Sequence, residues 1–201
     1  GSENTVRGAV VLQYLHRFPE QGSVETFYFY LLVVEKLFDS DLMSNIKSKL
    51  LGLNEKQNSQ FGEKYLDEIQ EKNQIRLPFA KDDIFMEIFR NKTLKKILDT
   101  LFKPTKSFYV LNQQNAIINL GNELHNQSSW HRDFPYIQGI SDIKQAYSVL
   151  IAVDDFTAQN GGTRLVPFTH MYEEIPSWRF IEKNFISVEC KAGSAIFFDS
   201  Q

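Results

Sequence analysis

Residues 146–153 read AYSVLIAV, and this stretch decides the fold class. The run is almost continuously apolar, and its length is that of a strand. We therefore predict a central β-strand here that is buried on both of its faces.

Short runs of β-branched and aromatic residues lie on both sides of this stretch. They are SFYVL from Ser107, NAIIN from Asn115, TRLV from Thr163, FISVEC from Phe185 and SAIFFD from Ser194. Turns are marked by Asn160–Gly162 and Lys191–Gly193. Many short strands separated by turn-forming residues are typical of a β sandwich or barrel. Residues 105–201 are therefore predicted to form the β part of the domain.

Residues 1–104 show mostly helical periodicity. One apolar stripe consists of Leu42, Ile46, Leu50 and Leu53, with Asp39 or Ser40 as its cap and Gly52 at its end. A second helix is predicted from Phe61 to Ile69, and a third is capped by Asn91 and stopped by Pro104. Helices followed by antiparallel strands predict a single α+β domain, in which the helices buttress one face of the sheet.

Composition narrows the classes of function. The net charge is −3 and the charges are interspersed, which disfavours a nucleic-acid partner. The longest apolar run, Phe27–Val34, is too short to anchor the chain in a membrane. One cysteine, Cys190, cannot form an internal disulfide, so we expect a reducing cytoplasm. Its place in a strand-like run indicates a packed residue and not a nucleophile.

The segment Trp130–Asp133 (WHRD) could hold a metal ion. His131 and Asp133 are two residues apart, and on extended backbone such side chains point to the same side. Two histidines and one carboxylate form the ligand set of many non-haem iron(II) enzymes, and this pair would supply two of the three. The tripeptide alone favours a surface histidine beside a solvated aspartate, so its context must decide.

Three further segments supply that context. The WHRDF segment is followed by the apolar strand SVLIAVDDFT, then by Asn160–His170 (NGGTRLVPFTH), then by Lys191–Ser200 (KAGSAIFFDS). This order resembles the phytanoyl-CoA dioxygenase family, and the resemblance covers roughly Leu77 to Gln201. The helical N-terminal part is only compatible with it.

The resemblance implies a double-stranded β-helix, or jelly roll, of the cupin-like kind. Its inner face would hold iron(II) and the cosubstrate 2-oxoglutarate, with His131 and Asp133 as metal ligands. The implied activity is an O2-dependent hydroxylation of a small organic molecule. Halogenating relatives replace the carboxylate with a small residue, so Asp133 favours hydroxylation.

The resemblance also suggests polar side chains that contact 2-oxoglutarate. The candidates are Gln113, Gln114 and Asn119 before the ligand pair and Ser148 after it. Solvent-facing or turn residues explain each of them equally well. A slip of one residue in the comparison would reverse the face of the strand on which each side chain lies.

The family pattern predicts a distal histidine ligand a few residues after the FFDS strand, and then an arginine that pairs with 2-oxoglutarate. The sequence stops at Gln201, before either. We therefore expect a natural protein that continues, and a chain that, as it stands, is C-terminally truncated, binds iron poorly and is inactive. His16, His125 and His170 are less favoured as replacements for the missing ligand.

Two rival functions remain open. The first is a non-catalytic binding module that keeps the jelly roll without a working metal site. The second, a cupin-type isomerase or a dioxygenase independent of 2-oxoglutarate, fits a barrel but not the order of the NGGTRLVP hairpin. The sequence indicates neither the substrate nor the oligomeric state.

Overall fold

The computed structural model describes residues 31–103, 108–120, 129–134 and 146–200, and residues 6–16 as backbone. The described strands are β1 (Val6–His16), β2 (Leu31–Val34), β3 (Gln74–Arg76), β4 (Tyr109–Leu120), β5 (Ala146–Ala152), β6 (Arg164–Leu165), β7 (Ile186–Ser187) and β8 (Ala195–Asp199). The described helices are α1 (Ser40–Phe61), α2 (Glu63–Glu68), α3 (Met86–Arg90), α4 (Lys92–Phe102) and α5 (Trp178–Asn184).

The main sheet has six strands in the order β2-β8-β5-β1-β4-β3, and each neighbouring pair is antiparallel. A separate two-stranded sheet joins β6 to β7. Strand β5 lies between β8 and β1, and all seven of its residues are buried. The prediction of a central strand buried on both faces is confirmed.

The two faces of β5 pack against different layers. Tyr147, Val149 and Ile151 belong to the larger apolar core, together with residues of α1, α3 and α4. Leu150 and Ala152 belong to a smaller cluster on the opposite face, with side chains that follow β5 and β7. Because side chains alternate along a strand, Ser148 lies on this second face.

The helix caps agree with the sequence, but one helix end does not. Asp39 caps α1 by accepting a hydrogen bond from Leu42 N at 2.7 Å, as predicted. The prediction that α1 ends at Gly52 is wrong, since the helix continues to Phe61. Two side chains beyond the glycine hold the extra turns: Asn54 donates to Asn73 Oδ1 at 3.2 Å, and Gln57 donates to Gln74 O at 3.0 Å. These tertiary contacts outweigh the low helix propensity of one exposed glycine.

The remaining helix predictions agree with the structure. Asn91 caps α4 through hydrogen bonds from Thr93 N and Leu94 N, both at 2.9 Å. The helix then ends at Phe102, just before the predicted proline stop. The short helix α2 occupies most of the second predicted segment.

The first half of the chain contains more β structure than its periodicity predicts. Strands β1, β2 and β3 all precede residue 105, and β1 lies between β4 and β5. The two strands predicted from Ser107 and Asn115 form one strand, β4. Its register with β1 shifts beside Asn112, because Gln13 pairs with Gln113 whereas Tyr14 pairs with Leu111. An extra residue of this kind reverses which face the following side chains occupy.

The turn Lys191–Gly193 needs its glycine. Gly193 has φ +83°, and a Cβ on it would lie 2.2 Å from the backbone oxygen of Phe38. The same approach allows Phe38 N to donate to Gly193 O at 2.9 Å. This turn therefore connects the segment before α1 directly to the start of β8.

The structure confirms a fold that mixes helices with antiparallel sheets, whereas the jelly roll stays a prediction. In the described ranges, no helix combines the length and the apolar character needed to cross a bilayer.

Candidate metal centre

The proposed ligands lie on the segment 129–134, which contacts the end of β8. Phe134 is buried, and its backbone N donates to Ser200 O at 3.3 Å. The segment is not part of a strand in the structure. Its two candidate side chains nevertheless converge, with His131 Nε2 3.4 Å from Asp133 Oδ1.

The other ring nitrogen of His131 is held by the backbone. His131 Nδ1 lies 2.7 Å from Ser129 O, and a carbonyl oxygen can only accept. Nδ1 therefore carries the hydrogen, which leaves the lone pair of the neutral ring on Nε2. Metal-binding histidines are commonly oriented by a hydrogen bond of this kind.

Two serines orient Asp133. Ser148 Oγ donates a short hydrogen bond to Asp133 Oδ2. Ser148 Oγ also lies 2.8 Å from Ser200 Oγ. Because Ser148 donates its one hydroxyl proton to the carboxylate, Ser200 must be the donor of this second bond. Both serines are buried, so the chain from Ser200 through Ser148 fixes Oδ2 and leaves Oδ1 directed to His131.

The electrostatics of the pair follow from its geometry. The hydrogen bond with Asp133 raises the pKa of His131 above its ordinary value; partial burial opposes this shift, and the Ser129 carbonyl adds to it. Asp133 Oδ1 therefore favours a positive group at Nε2. A bound metal ion would be such a group.

The structure brings Ser148 and Gln113 to the same row of the sheet. Both pair with Gln13 of β1, Ser148 from β5 and Gln113 from β4. Residues directly opposite each other in antiparallel strands share a face. Gln113 therefore lies on the same face as the serine that holds Asp133, at a distance of two strands, or about 10 Å.

The other two predicted cosubstrate contacts lie elsewhere. Gln114 is fully buried on the opposite face, where its Oε1 accepts a hydrogen bond from Phe79 N at 3.1 Å. Asn119 shares the face of Gln113 but lies about 20 Å farther along β4, at the usual rise per residue. There it packs under the Asn160–Gly162 turn, since a Cβ on Gly161 would lie 3.2 Å from its Nδ2.

The structure gives no third ligand within the described ranges. Among those residues, no group of three or more His, Cys, Asp or Glu side chains is placed to hold one metal ion. His170 therefore does not complete the pair. His125 lies outside the described residues, and His16 is described only as backbone.

Sequence reasoning missed two residues of this centre, Ser200 and Arg132. Ser200 alternates with Ile196 and Phe198, so the period-two pattern of β8 could have placed it on the face of Ser148. Arg132 directs its guanidinium to backbone carbonyls of residues 169–174. A charged residue between two ligands carries no sequence signal for such a contact.

Cys190 behaves as a packed residue, in agreement with the sequence. It lies in the smaller apolar cluster, and burial raises the pKa of its thiol to about 11. A thiol with so high a pKa is protonated at neutral pH, so it is a poor nucleophile and a poor metal ligand.

Comparison with known proteins agrees with the resemblance. The family described as phytanoyl-CoA dioxygenase (PhyH) matches residues 31–201. Two similar relatives are uncharacterized proteins of Mycobacterium bovis and Mycobacterium tuberculosis, each 26% identical to this chain over 173 residues. Each alignment covers 84% of this chain and 62% of the relative, so the chain spans less than two thirds of the curated relatives it matches.

Proposed function

The chain belongs to the phytanoyl-CoA dioxygenase family, and from this membership we propose that it is a non-haem iron(II), 2-oxoglutarate-dependent oxygenase. In this proposal, the protein hydroxylates a small organic molecule with O2, and His131 and Asp133 bind the metal. The mixed fold with antiparallel sheets supports the jelly roll that such an enzyme would use. The cytoplasmic location expected from the single cysteine is part of the same proposal.

One observation carries this proposal: His131 Nε2 and Asp133 Oδ1 lie 3.4 Å apart, and each side chain is oriented through its other polar atom. A neutral imidazole and a carboxylate are the donor types of the iron(II) ligand set. The pair is also accessible, since 45% of the His131 side chain is exposed. The residues present therefore fit the metal that the family implies.

Each residue of the candidate site would have a separate role. When bound, iron(II) with 2-oxoglutarate and O2 would supply the oxidation that hydroxylates the substrate. His131 would offer Nε2 without adding charge, because Ser129 O holds its proton on Nδ1. Ser148 would orient the carboxylate of Asp133. Gln113, in the same row as Ser148, is our candidate contact for a carboxylate of 2-oxoglutarate.

The proposal concerns the full-length gene product, because the chain spans 62% of the relatives and a third ligand is not among the described residues. An anaerobic titration with iron(II) and 2-oxoglutarate tests it. We expect the weak visible charge-transfer band of the chelated cosubstrate, and we expect His131→Ala to abolish it.

His170→Ala is the matched control, because it removes another histidine from the second half of the chain. It should keep the band if His131 and Asp133 are the ligands. A folded wild-type protein without any band would overturn the oxygenase proposal in favour of the non-catalytic binding module.

A further inference from the structure

Arg132 lies between the two proposed ligands, but its side chain contacts a different part of the chain. Its guanidinium donates to four backbone carbonyl oxygens of the loop 168–175. The acceptors are Glu173 O at 3.1 Å from Nη1, and Thr169 O at 3.3 Å, Tyr172 O at 2.7 Å and Glu174 O at 3.0 Å from Nη2. One side chain therefore binds the carbonyl of Thr169 and the three successive carbonyls of residues 172–174.

The planar fork of arginine is required for this contact. Its two terminal nitrogens point in fixed, different directions, and the guanidinium remains charged at any ordinary pH. A lysine ammonium has the same charge on a single atom, so it could not reach the same set of carbonyls together. Charge alone therefore does not explain the arrangement.

The loop contains a backbone conformation that needs support. Phe168 has φ +65°, in the left-handed region that a bulky residue rarely adopts, and its side chain is about half exposed. A short 3₁₀ turn, Thr169–Met171, follows it immediately. Such conformations persist only where surrounding contacts hold them. Arg132 provides these contacts directly after the strained residue.

We propose that Arg132 is a positioning residue that couples the metal centre to the loop 168–175. Four hydrogen bonds fix the guanidinium to the loop, so a movement of the backbone of residues 131–133 strains these bonds. A cation that fixes His131 and Asp133 therefore also fixes Arg132 and orders the loop. Coupling of this kind is reciprocal, so the ordered loop in turn strengthens metal binding. The proposal rests on the proposed function, because it requires an ion at His131 and Asp133.

Hydrogen exchange with and without Mn(II) tests the coupling. Mn(II) is a redox-stable probe, and the signal of its free ion in electron paramagnetic resonance gives the bound fraction independently of activity. In the full-length protein, Mn(II) should slow amide exchange in residues 169–175. Arg132→Ala should speed this exchange without metal, remove the effect of Mn(II), and weaken Mn(II) binding by about tenfold.

Two further variants test whether the effect depends on the planar shape of the guanidinium, on its charge, or on the loss of any arginine. Arg132→Lys should behave like Arg132→Ala, because it keeps the charge and loses the geometry. Arg179→Ala removes an exposed arginine of α5 and should behave like wild type. Amide exchange in β5 reports whether each variant is folded.

The outcomes separate this inference from the proposed function. If wild type binds Mn(II) through His131 but the exchange of residues 169–175 does not respond, the coupling is wrong and the metal site stands. The same holds if Arg132→Ala or Arg132→Lys keeps full affinity and full protection. If wild type binds no Mn(II), the proposed function fails first, and the coupling is overturned with it.

Discussion

The two faces of β5 differ in what lies against them. One face presents Tyr147, Val149 and Ile151 to an apolar core shared with the helices. The other face carries Ser148, which holds Asp133, and is apolar at Leu150 and Ala152. One buried strand therefore serves two purposes, because successive side chains point to opposite sides.

We therefore expect stability and the proposed metal binding to depend on different side chains of the same strands. Substitutions on the helix-covered face should change mainly the free energy of unfolding. Substitutions at the polar end of the other face should change mainly ligand affinity. Four predictions, in order of decreasing effect, test this separation.

Phe197→Ala should destabilise the protein by about 3–5 kcal/mol, because it opens a cavity in the helix-covered core where Phe197 is fully buried. Denaturant unfolding measures the loss. Phe198→Ala is the matched control, since its partly buried side chain lies on the other face. Equal losses for the two variants would contradict the division between the faces.

Ser148→Ala should weaken metal binding by about 10–100-fold, the usual effect of removing a group that orients a ligand. The variant deletes the hydrogen bond to Asp133 Oδ2. Ser200→Ala should have a smaller effect, because Ser200 acts on the carboxylate only through Ser148. Metal titration monitored by the charge-transfer band measures both. A larger loss for Ser200→Ala would refute the proposed direction of the hydrogen-bond chain.

Gln113→Ala and Gln114→Ala should have opposite effects, although the two residues are adjacent. Gln114→Ala leaves Phe79 N without its side-chain acceptor, so it should cost about 1–3 kcal/mol of stability and leave 2-oxoglutarate affinity unchanged. Gln113→Ala should weaken 2-oxoglutarate binding, because Gln113 lies on the face of the candidate site. Unfolding curves and cosubstrate titrations on both variants decide the matter, and a reversed pattern would mean that the faces are assigned wrongly.

Asp155→Asn should have the smallest effect, on the pH dependence of stability. Lys191 and the backbone N of Ala192 donate to Asp155 and lower its pKa from the ordinary 3.8. A carboxyl with a lowered folded pKa stabilises the protein above its unfolded pKa, and this contribution is lost as the pH falls through the folded pKa. The variant should therefore melt slightly below wild type at neutral pH.

That difference should close in strong acid, which thermal melts across the acid range would show. Asp67→Asn, at an exposed carboxylate of α2, is the control. It should melt at the same temperature as wild type at each pH. A gap that widens toward acid would contradict the sign of the pKa shift.

Local signals in the sequence were sufficient for several elements. The caps at Asp39 and Asn91 depend on short-range hydrogen bonds, so the residue types alone identify them. The end of α1 could not be read in this way, because Asn54 and Gln57 hold the helix through contacts with β3 and the turn before it. The same holds for β1, whose central place depends on pairing with strands about 100 or more residues later.

Residue order and periodicity alone identify the family, the mixed helical and antiparallel β character and the central strand β5, and they predict the ligand pair His131 and Asp133. Each depends on residue order or on a period of two, which the linear chain carries directly. Which residues become neighbours follows from the tertiary structure: Ser200 contacts Ser148, Arg132 contacts the loop 168–175, and Gln113 but not Gln114 lies on the face of the candidate metal centre. Those contacts depend on register, on one bulge beside Asn112 and on packing between distant segments, and a one-residue change in any of them reverses the face on which a side chain lies.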